Sequence, residues 1–385
     1  MVGAQAQLLS AAQMSLWTRT RGLRIEDVDR ALWEDRTLAK VWCMRGSLHL
    51  IPSRDFAVFV RGSARREARS AAWLARAGVP MEAIERILAA IPDVLDQPLT
   101  RGELAARLSE VLRIKMQRRA GRGWGGPSDA DGFDVGGRVL SVHGILFFAC
   151  MRGLACFGPM RGKETTFVRP DRWLSGWHDL PQEAAETELL RRYLRAHGPA
   201  SVTDFAQWTY LKAADAREIW GRLADALVPV DDGVRSGWLL RSDEPALHGA
   251  TLESPHVRLL PFFDGFLLGL KDKGHLVDRE HYKKVYRPQG WLAPAVLMDG
   301  RVAGIWSHER KGPTLSLRIE SFSSLRPEAR KRLSEEADDL RRFLGANELR
   351  FRLQARRPGS PRSTASVGAS GFRGRSSRTS GADRG

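Results

Sequence analysis

Few residues of this 385-residue chain stand in a pattern that is typical of a catalytic site. The sequence holds no GxSxG, no Walker loop, no HExxH and no GxGxxG that opens a helix. The glycine-rich run 121–126 does not follow a strand of a βαβ unit, so we interpret it as a flexible loop. Cys43, Cys150 and Cys156 are widely spaced among apolar residues, which predicts buried thiols, with neither a disulfide framework nor a zinc site. No cofactor is expected.

Charge is more informative than these motifs. The chain has 61 Lys and Arg against 45 Asp and Glu, a net charge of +16 and a sequence pI near 10.5. Seven arginines but a single acidic residue follow position 355, so most of the excess lies in residues 1–355. Such an excess favours a polyanion partner, because basic side chains that neutralise phosphates release counterions. An arginine-rich proteome would give the same balance without DNA.

The order of the elements predicts an α+β fold with tandem winged-helix (helix-turn-helix) domains. In residues 1–62, helices at 7–17 and 25–34 precede a β-forming run at 38–51 that turns at Arg45-Gly46. A complete unit has three helices, so this first unit is expected to be N-terminally truncated. His49 lies in the β run, where a lone histidine is typical of a hydrogen-bonded core residue.

Residues 63–180 are interpreted as a second winged helix with a helical insertion. The stretch 64–120 is rich in Ala and Arg, and Thr100 with Glu103 has the spacing of a capping box. A loop is expected at 121–137, followed by a helix at 139–151 and a strand at 154–158.

Residues 181–245 give the clearest unit. A helix at 183–197 ends at Gly198-Pro199, Ser201 caps a helix that runs to Trp208, and a third helix at 213–227 leads into a hairpin. A three-helix bundle with a hairpin is the alternative.

The remaining residues are predicted to form a β-rich region at 246–355 and a disordered Arg/Ser/Gly tail at 356–385. Strands are expected at 257–260, 266–270 and on both sides of Asp299-Gly300, a pair that favours a type I′ turn. A helix is expected at 325–344. The tail cannot bury enough apolar area to fold.

Six segments, in order along the chain, resemble the bacterial AlkZ-like DNA glycosylases, winged-helix enzymes that act on alkylated purines and interstrand crosslinks. The resemblance runs from residue 3 to about 345 and leaves out the tail. The matching segments are Gly3-Ala4-Gln5-Ala6-Gln7, residues 42–50, Cys156-Phe157-Gly158-Pro159, residues 258–264, Leu267-Leu268-Gly269 and residues 296–302.

The resemblance implies that Gln5 and Gln7 are catalytic, because the family motif is Gln, an apolar residue and Gln. A neutral amide is a weak base, but it can orient a water through its carbonyl. That is sufficient when the leaving group is already cationic, as an N7-alkylated purine is. The implied activity is therefore hydrolysis of such N-glycosidic bonds without a metal, a nucleotide or a lysine Schiff base.

The resemblance also implies that a β-hairpin contacts the damaged DNA, and residues 290–306 match it best by position. Arg287, Gln289 and Arg301 are then candidates for phosphate or groove contacts, and Trp291 for a wedge or a stacking residue. The alternative is a core Trp291 with solvated arginines. Arg45 and His49 are further candidates, because the first wing is expected to face the same cleft.

We expect the partner to be double-stranded DNA, alkylated or abasic by preference, and the protein to be a cytoplasmic monomer that does not associate with membranes. Two other functions are compatible with the sequence: a winged-helix transcriptional regulator and an RNA-associated factor that uses the tail. Family members usually carry a helix before the Gln motif, whereas Gln5 stands almost at residue 1. We expect either that the start codon is assigned too far downstream or that this helix is lost, in which case the motif would lie on a frayed terminus.

Overall fold

The computed structural model describes residues 1–123, 126–231, 233 and 235–355. The predicted tail at 356–385 therefore lies outside the described residues, as do Trp124 and Gly125 of the predicted loop. The helices are α1 Leu9–Trp17, α2 Ile25–Trp33, α3 Phe56–Arg61, α4 Ala64–Arg76, α5 Met81–Val94, α6 Arg101–Leu112, α7 Val142–Met151, α8 Pro170–Trp173, α9 Gln182–His197, α10 Val202–Thr209, α11 Ala213–Gly221, α12 Glu244–His248, α13 Gly265–Leu268, α14 Tyr282–Val285 and α15 Pro327–Phe343.

The strands form four sheets in a mixed α/β fold. They are β1 Ala4–Gln5, β2 Leu38–Trp42, β3 Leu48–Pro52, β4 Leu99–Thr100, β5 Met116–Gly123, β6 Gly126–Val135, β7 Arg138–Ser141, β8 Cys156–Arg161, β9 Glu164–Val168, β10 Leu227–Asp231, β11 Ser236–Leu240, β12 Val257–Leu260, β13 Ala295–Met298, β14 Arg301–Lys311, β15 Thr314–Ser321 and β16 Glu348–Ala355. The sheet orders are β1-β3-β2-β8-β9-β4, β5-β6-β7, β10-β11 and β12-β13-β14-β15-β16.

One arrangement recurs three times within residues 4–240. A short extended segment precedes two helices and a hairpin, and it pairs antiparallel with the second strand of that hairpin. The pairs are β1 with β3, β4 with β9, and Ala200 with Trp238 of β11. Thr100 and Ser201 follow their segments as helix N-caps, each in a capping box that satisfies otherwise unpaired amides.

The elements with strong local signals were predicted correctly. Helices α2, α9 and α10 and the hairpins β2–β3 and β10–β11 match the sequence prediction within a few residues. The Asp299-Gly300 turn is also confirmed, because both residues have positive φ (47° and 82°), as a type I′ turn requires.

Three predicted elements were wrong. The loop predicted at 121–137 is largely sheet, since β6 pairs with both β5 and β7 and backbone pairing does not need apolar side chains. The strand predicted at 266–270 is the short helix α13, which begins because the Asp264 side chain accepts a hydrogen bond from the Phe266 amide (3.0 Å). The strand expected from residue 290 begins only at Ala295.

Helix α1 lies between two hydrophobic cores. Ala12 belongs to a large core that extends from Val2 to Leu240, whereas Met14 and Trp17 belong to the core between α15 and the C-terminal sheet. Trp17 is 3% exposed, stacks on Phe343 at 5.8 Å and donates a hydrogen bond to Asp339 (2.9 Å). The helix that follows Gln5 is therefore fixed from both sides.

Among the described residues, no helix combines the length and the apolar character needed to cross a membrane.

Trp17→Ala is expected to lower the free energy of unfolding by about 3–5 kcal/mol, because it leaves a cavity between α1 and α15. Trp17→Phe, which keeps most of the ring but loses the hydrogen bond to Asp339, should cost about 1 kcal/mol. Urea unfolding followed by circular dichroism measures both. Trp73→Ala is the control, since Trp73 is 62% exposed on α4 and its loss should change stability by less than about 0.5 kcal/mol. Equal effects of Trp17→Ala and Trp73→Ala would contradict the anchoring of α1.

Candidate active site

Gln5 is held at the edge of the six-stranded sheet. It pairs with His49 in β3, and the pairing continues through the Ala6 amide, which donates to the Leu48 carbonyl (2.6 Å). Ala4 and Ala6 are buried in the core, whereas Gln5 is half-buried and Gln7 is exposed. β1 ends at Gln5, and Gln7 lies in the bend that precedes α1. The expectation of a frayed motif is wrong for Gln5.

Gly3 lets this segment approach the sheet closely. Its φ is +68°, and a Cβ atom would lie 3.1 Å from Met44 Cε and 3.2 Å from Ile51 Cγ2. A larger residue would push the chain away from β3 and displace Gln5.

The Arg45 guanidinium connects Gln5 to two other elements. Its Nη2 lies 2.9 Å from Gln5 Oε1 and 3.0 Å from His49 Nε2, and its Nη1 lies 3.4 Å from the Trp208 carbonyl oxygen in α10. Arg45 has a φ of 59°, in the left-handed region, at the turn between β2 and β3. The turn geometry aims this side chain back across the sheet edge.

The protonation pattern of the three residues follows from the chemistry of arginine. A guanidinium has only donors, so the Gln5 atom that faces it must be the carbonyl oxygen, and His49 Nε2 must accept. The His49 proton is then on Nδ1, which donates to the Ser47 carbonyl (3.0 Å). Burial, with a smaller contribution from Arg45, lowers the pKa of His49 well below its usual value, so the ring is neutral.

A cavity of about 110 Å³ lies in front of Gln5. Its polar lining is Gln5, Arg19, Arg45 and His197, and Trp208 and Phe266 supply aromatic surface. It is also lined by Met1, Val2, Gly3, Ala196 and Gly265.

The charge of Arg19 in this cavity is largely neutralised by an ion pair. Its two guanidinium nitrogens bind both oxygens of Asp264 (2.9 and 2.7 Å), and Ser15 Oγ donates to the same carboxylate (2.8 Å). Asp264 is fully buried, so this bidentate pair ties α1 to the segment before α13. Arg45, by contrast, has no carboxylate partner among the described residues.

His197 is a neutral member of the same cavity. Its ring packs on Tyr193 and Trp208 at 5.2 and 5.9 Å, and Gly269 leaves it room, since a Cβ there would lie 2.1 Å from His197 Nδ1. Burial, followed by the charge of Arg45, lowers the pKa of His197 to about 3.

The sequence did not assign roles to Arg19, His197, Trp208 or Phe266. Each is brought to Gln5 by packing between distant elements, so local spacing contains no signal for it. His49 lies behind Arg45 and is 1% exposed, so it supports Arg45 and has no surface with which to contact DNA.

The other DNA-contact candidates are not among the residues that line the cavity: Arg287, Gln289 and Trp291 lie at the turn before β13, and Arg301 begins β14. Trp291 is 41% exposed and packs on Phe262 and Phe263 at 5.9 and 5.2 Å. One part of its ring is therefore packed as in a core, and the other part is accessible for stacking. The pair Phe262 and Phe263 leads directly to Asp264 and to the cavity residue Phe266.

Arg287 and Gln289 flank Trp291 at this turn. Gln289 has a φ of +59°, and Arg287 is exposed, with its Nε donating to the Lys284 carbonyl (3.2 Å). Arg301 is partly engaged: it pairs with Asp278 (2.6 Å) and donates to the His275 carbonyl (2.8 Å).

No group of three or more His, Cys, Asp or Glu side chains in the described part of the chain is arranged to hold a metal ion. Burial raises the pKa of the Cys43 thiol to about 12, which leaves it protonated and unreactive at neutral pH.

Three comparisons agree with the resemblance seen in the sequence. Residues 1–343 match the family described as DNA glycosylase AlkZ-like. The interstrand DNA cross-link repair glycosylase of Streptomyces sahachiroi is 32% identical over 314 residues, which cover 79% of each protein. The solved structure of the Streptomyces sahachiroi DNA glycosylase AlkZ superposes with a TM-score of 0.73 at 29% identity and covers 91% of each chain.

The match spans the Gln5 segment, the first hairpin that carries Arg45, helix α10 and the segment around Asp264, which are the elements that build the cavity. The chain therefore belongs to the AlkZ-like DNA glycosylase family.

Proposed function

We propose that the protein hydrolyses the N-glycosidic bond of cationic N7-alkylated purines in duplex DNA, including those in interstrand crosslinks, and that Gln5 orients the attacking water. The hydrogen bond from Arg45 to Gln5 Oε1 carries this proposal, because it fixes the amide with its oxygen toward the cavity. The cross-link substrate is the one named for the Streptomyces relative.

The proposed step uses the second lone pair of Gln5 Oε1. Arg45 occupies one lone pair, and the other accepts a hydrogen bond from a water in the cavity. The water oxygen forms a bond to C1′, the bond from C1′ to the purine nitrogen breaks, and its electron pair neutralises the cationic base. The proton released by the water passes to solvent, because an amide is too weak a base to keep it.

The neutral histidines explain why the leaving group must be cationic. A neutral purine needs a proton as it leaves, and general acids supply it in many enzymes. His49 and His197 are uncharged, and Gln5 has no acidic proton, so none of these three side chains supplies such an acid. A base that already bears a positive charge does not need one.

The size of the cavity favours bulky lesions. Pockets that enclose a small molecule usually measure about 300–1,000 Å³. A cavity of about 110 Å³ accommodates water beside the sugar but does not enclose a purine. A substituent on N7 would then remain outside, so its size, or its link to the opposite strand, would not prevent attack at C1′.

The threefold recurrence of a short strand, two helices and a hairpin supports a finer description of the fold. We assign three winged-helix units to residues 1–62, 63–180 and 181–245, with the sheet β5–β7 inserted in the second, followed by the β-rich region 246–355. In this arrangement Gln5 ends the short strand of the first unit, three residues before the α1 N-cap Leu8, whereas Thr100 and Ser201 are themselves the N-caps of their helices.

The surroundings of the cavity supply the remaining proposed contacts with DNA. Gln7 is exposed two residues after Gln5, and we assign it to the sugar or phosphate of the damaged nucleotide. We also assign Arg287, Gln289 and Trp291 to the flanking duplex and Arg301 to a weaker outer contact. As a repair enzyme of chromosomal DNA the protein would act in the cytoplasm, as a monomer.

The third unit does not favour the alternative of a sequence-reading regulator. Helix α11 has the position of a recognition helix, but its Asp215 and Glu218 both pair with Arg65 of α4 (3.3 and 2.7 Å). Hydrogen bonds from Arg65 and Arg222 lower the pKa of Glu218 to about 2. A helix that carries these carboxylates and is tied to its neighbour is poorly suited to a major groove.

Gln5→Ala is expected to reduce the rate of base release from 7-methylguanine duplex DNA by about 100-fold, because the water loses its orientation. Single-turnover base release at saturating enzyme measures this, and affinity for a stable abasic-site analogue should stay within about threefold. Gln354→Ala is the matched control, since Gln354 is exposed on β16. A Gln5→Ala enzyme as fast as the control would exclude Gln5 as the water-orienting residue.

His197 also predicts a pH dependence of stability. Its pKa is about 3 in the folded protein and near 6.5 in an unfolded chain, so below pH 6.5 only the unfolded chain takes up the proton. The stability that the neutral ring contributes is complete above that pH and is lost as pH falls toward 3. Between pH 7 and 5 the loss from this residue should be about 2 kcal/mol.

Urea unfolding at the two pH values tests this effect in the wild type, in His197→Gln and in His248→Gln, whose ring is exposed on α12. His197→Gln should lose less stability on acidification than the other two proteins. Equal losses in all three would mean that His197 is protonated in the folded state.

A further inference from the structure

A second concave surface lies on helix α4, which the proposed reaction does not use. We call it the α4 groove, and its volume is about 560 Å³. It is lined by Arg66, Arg69, Ser70, Trp73, Leu74, Arg76, Phe147 and Phe148.

Its basic residues lie on one face of α4. Arg66, Arg69, Trp73 and Arg76 have the spacing i, i+3, i+7 and i+10, which aligns them along a helix. In the described part of the chain, none of the three arginines forms an ion pair with a carboxylate, whereas Arg65 on the next face binds Glu186, Asp215 and Glu218. The groove therefore has a positive charge that the fold itself does not neutralise.

The groove also exposes apolar surface in the middle of this charge. Trp73 is 62% exposed, and Leu74 and Phe147 lie beside it and are only partly buried. Arg66 adds a polar atom without a partner, since its Nε is buried and makes no hydrogen bond within the described residues. Burial and the neighbouring Arg69 lower the pKa of Arg66, which is the expected result of crowding two cations without an anion.

The α4 groove begins next to the candidate active site. A Cβ at Gly46 would lie 3.4 Å from the Phe147 ring and 3.5 Å from Arg66 Nη2. Gly46 directly follows Arg45, which contacts Gln5. A nucleic acid strand with its reacting sugar at Gln5 would therefore have its next nucleotides near Arg66.

We propose that the α4 groove binds an unpaired DNA segment beside the lesion, with Arg66, Arg69 and Arg76 on its phosphates and Trp73 stacked on a base. Arginines that interleave with an exposed aromatic ring are the usual platform for single strands. A paired duplex offers phosphates but no free base face, so it would leave Trp73 in water. From the proposed function this inference takes that the partner is DNA and that the reacting sugar lies at Gln5.

The test measures the affinity of the full chain for two fluorescein-labelled duplexes by anisotropy. Both carry a stable abasic-site analogue, and one has a short unpaired thymidine stretch beside it. Trp73→Ala should weaken binding of the unpaired probe by about tenfold and leave binding of the paired probe within about twofold. Arg69→Gln with Arg76→Gln should reduce the salt dependence for the unpaired probe, by about 1.4 in the slope of log K against log salt.

Controls separate this site from the catalytic one. Trp238→Ala is the matched aromatic control, since Trp238 is 40% exposed on β11, and Arg318→Gln with Arg350→Gln removes two exposed arginines from β15 and β16. Gln5→Ala should reduce base release by about 100-fold, as expected above, and keep the preference for the unpaired probe. Groove variants should release 7-methylguanine from paired DNA at the wild-type rate.

Two results would overturn the assignment. If Trp73→Ala and the Arg69/Arg76 variant bind both probes as the wild type does, the groove does not bind DNA. If a single-stranded RNA of the same sequence binds the wild type more tightly than DNA does, and the same variants bind that RNA more weakly, the groove is an RNA site. Neither result would affect the Gln5 test.

Discussion

The candidate site depends on one guanidinium. The Arg45 side chain contacts Gln5, His49 and the α10 backbone, and its contact with the Trp208 ring (5.3 Å) adds a cation–π interaction. Because a buried guanidinium must find acceptors, its five donors draw the amide oxygen and the imidazole nitrogen toward it. The orientation of Gln5 and the tautomer of His49 are consequences of that requirement.

A neutral amide can only orient a water if its own position is fixed, so the attachment of the first twenty residues matters as much as the motif. Three contacts attach these residues to the rest of the protein: the pairing of β1 in the sheet, the packing of Trp17 in the C-terminal core and the ion pair between Arg19 and Asp264. Together they place Gln5 on a rigid element, which is the condition for holding a reacting water within a fraction of an ångström.

The sequence predicted what local chemistry determines. The helix N-caps Thr100 and Ser201 and the Asp299-Gly300 turn involve residues within a few positions of one another, and all were located correctly. The run 266–270 was misassigned because a short apolar stretch fits a strand as well as a helix, and only the hydrogen bond from Phe266 to Asp264 decides.

Most contacts of the candidate site join residues that are far apart in the sequence, so local patterns could not predict them. Gln5 was identified through the family motif, but Arg19 and Asp264 are separated by 245 positions, and His197 reaches the cavity only because α9 packs against the segment at Gly269. Such contacts are set by how the units pack, and no periodicity along the chain encodes them.

Net charge alone did not reveal which arginines are available to DNA. On α4, Arg65 forms ion pairs with Glu186 and Glu218. Arg69, one turn further along the helix, has no carboxylate partner in the described structure. Binding a phosphate to Arg65 would require breaking charge-assisted bonds to a buried glutamate, but binding it to Arg69 displaces only water. A chain with a net charge of +16 can therefore direct DNA to a narrow path, because its fold pairs some cations, such as Arg65, with carboxylates and leaves others beside the site, such as Arg69, without a carboxylate partner in the described structure.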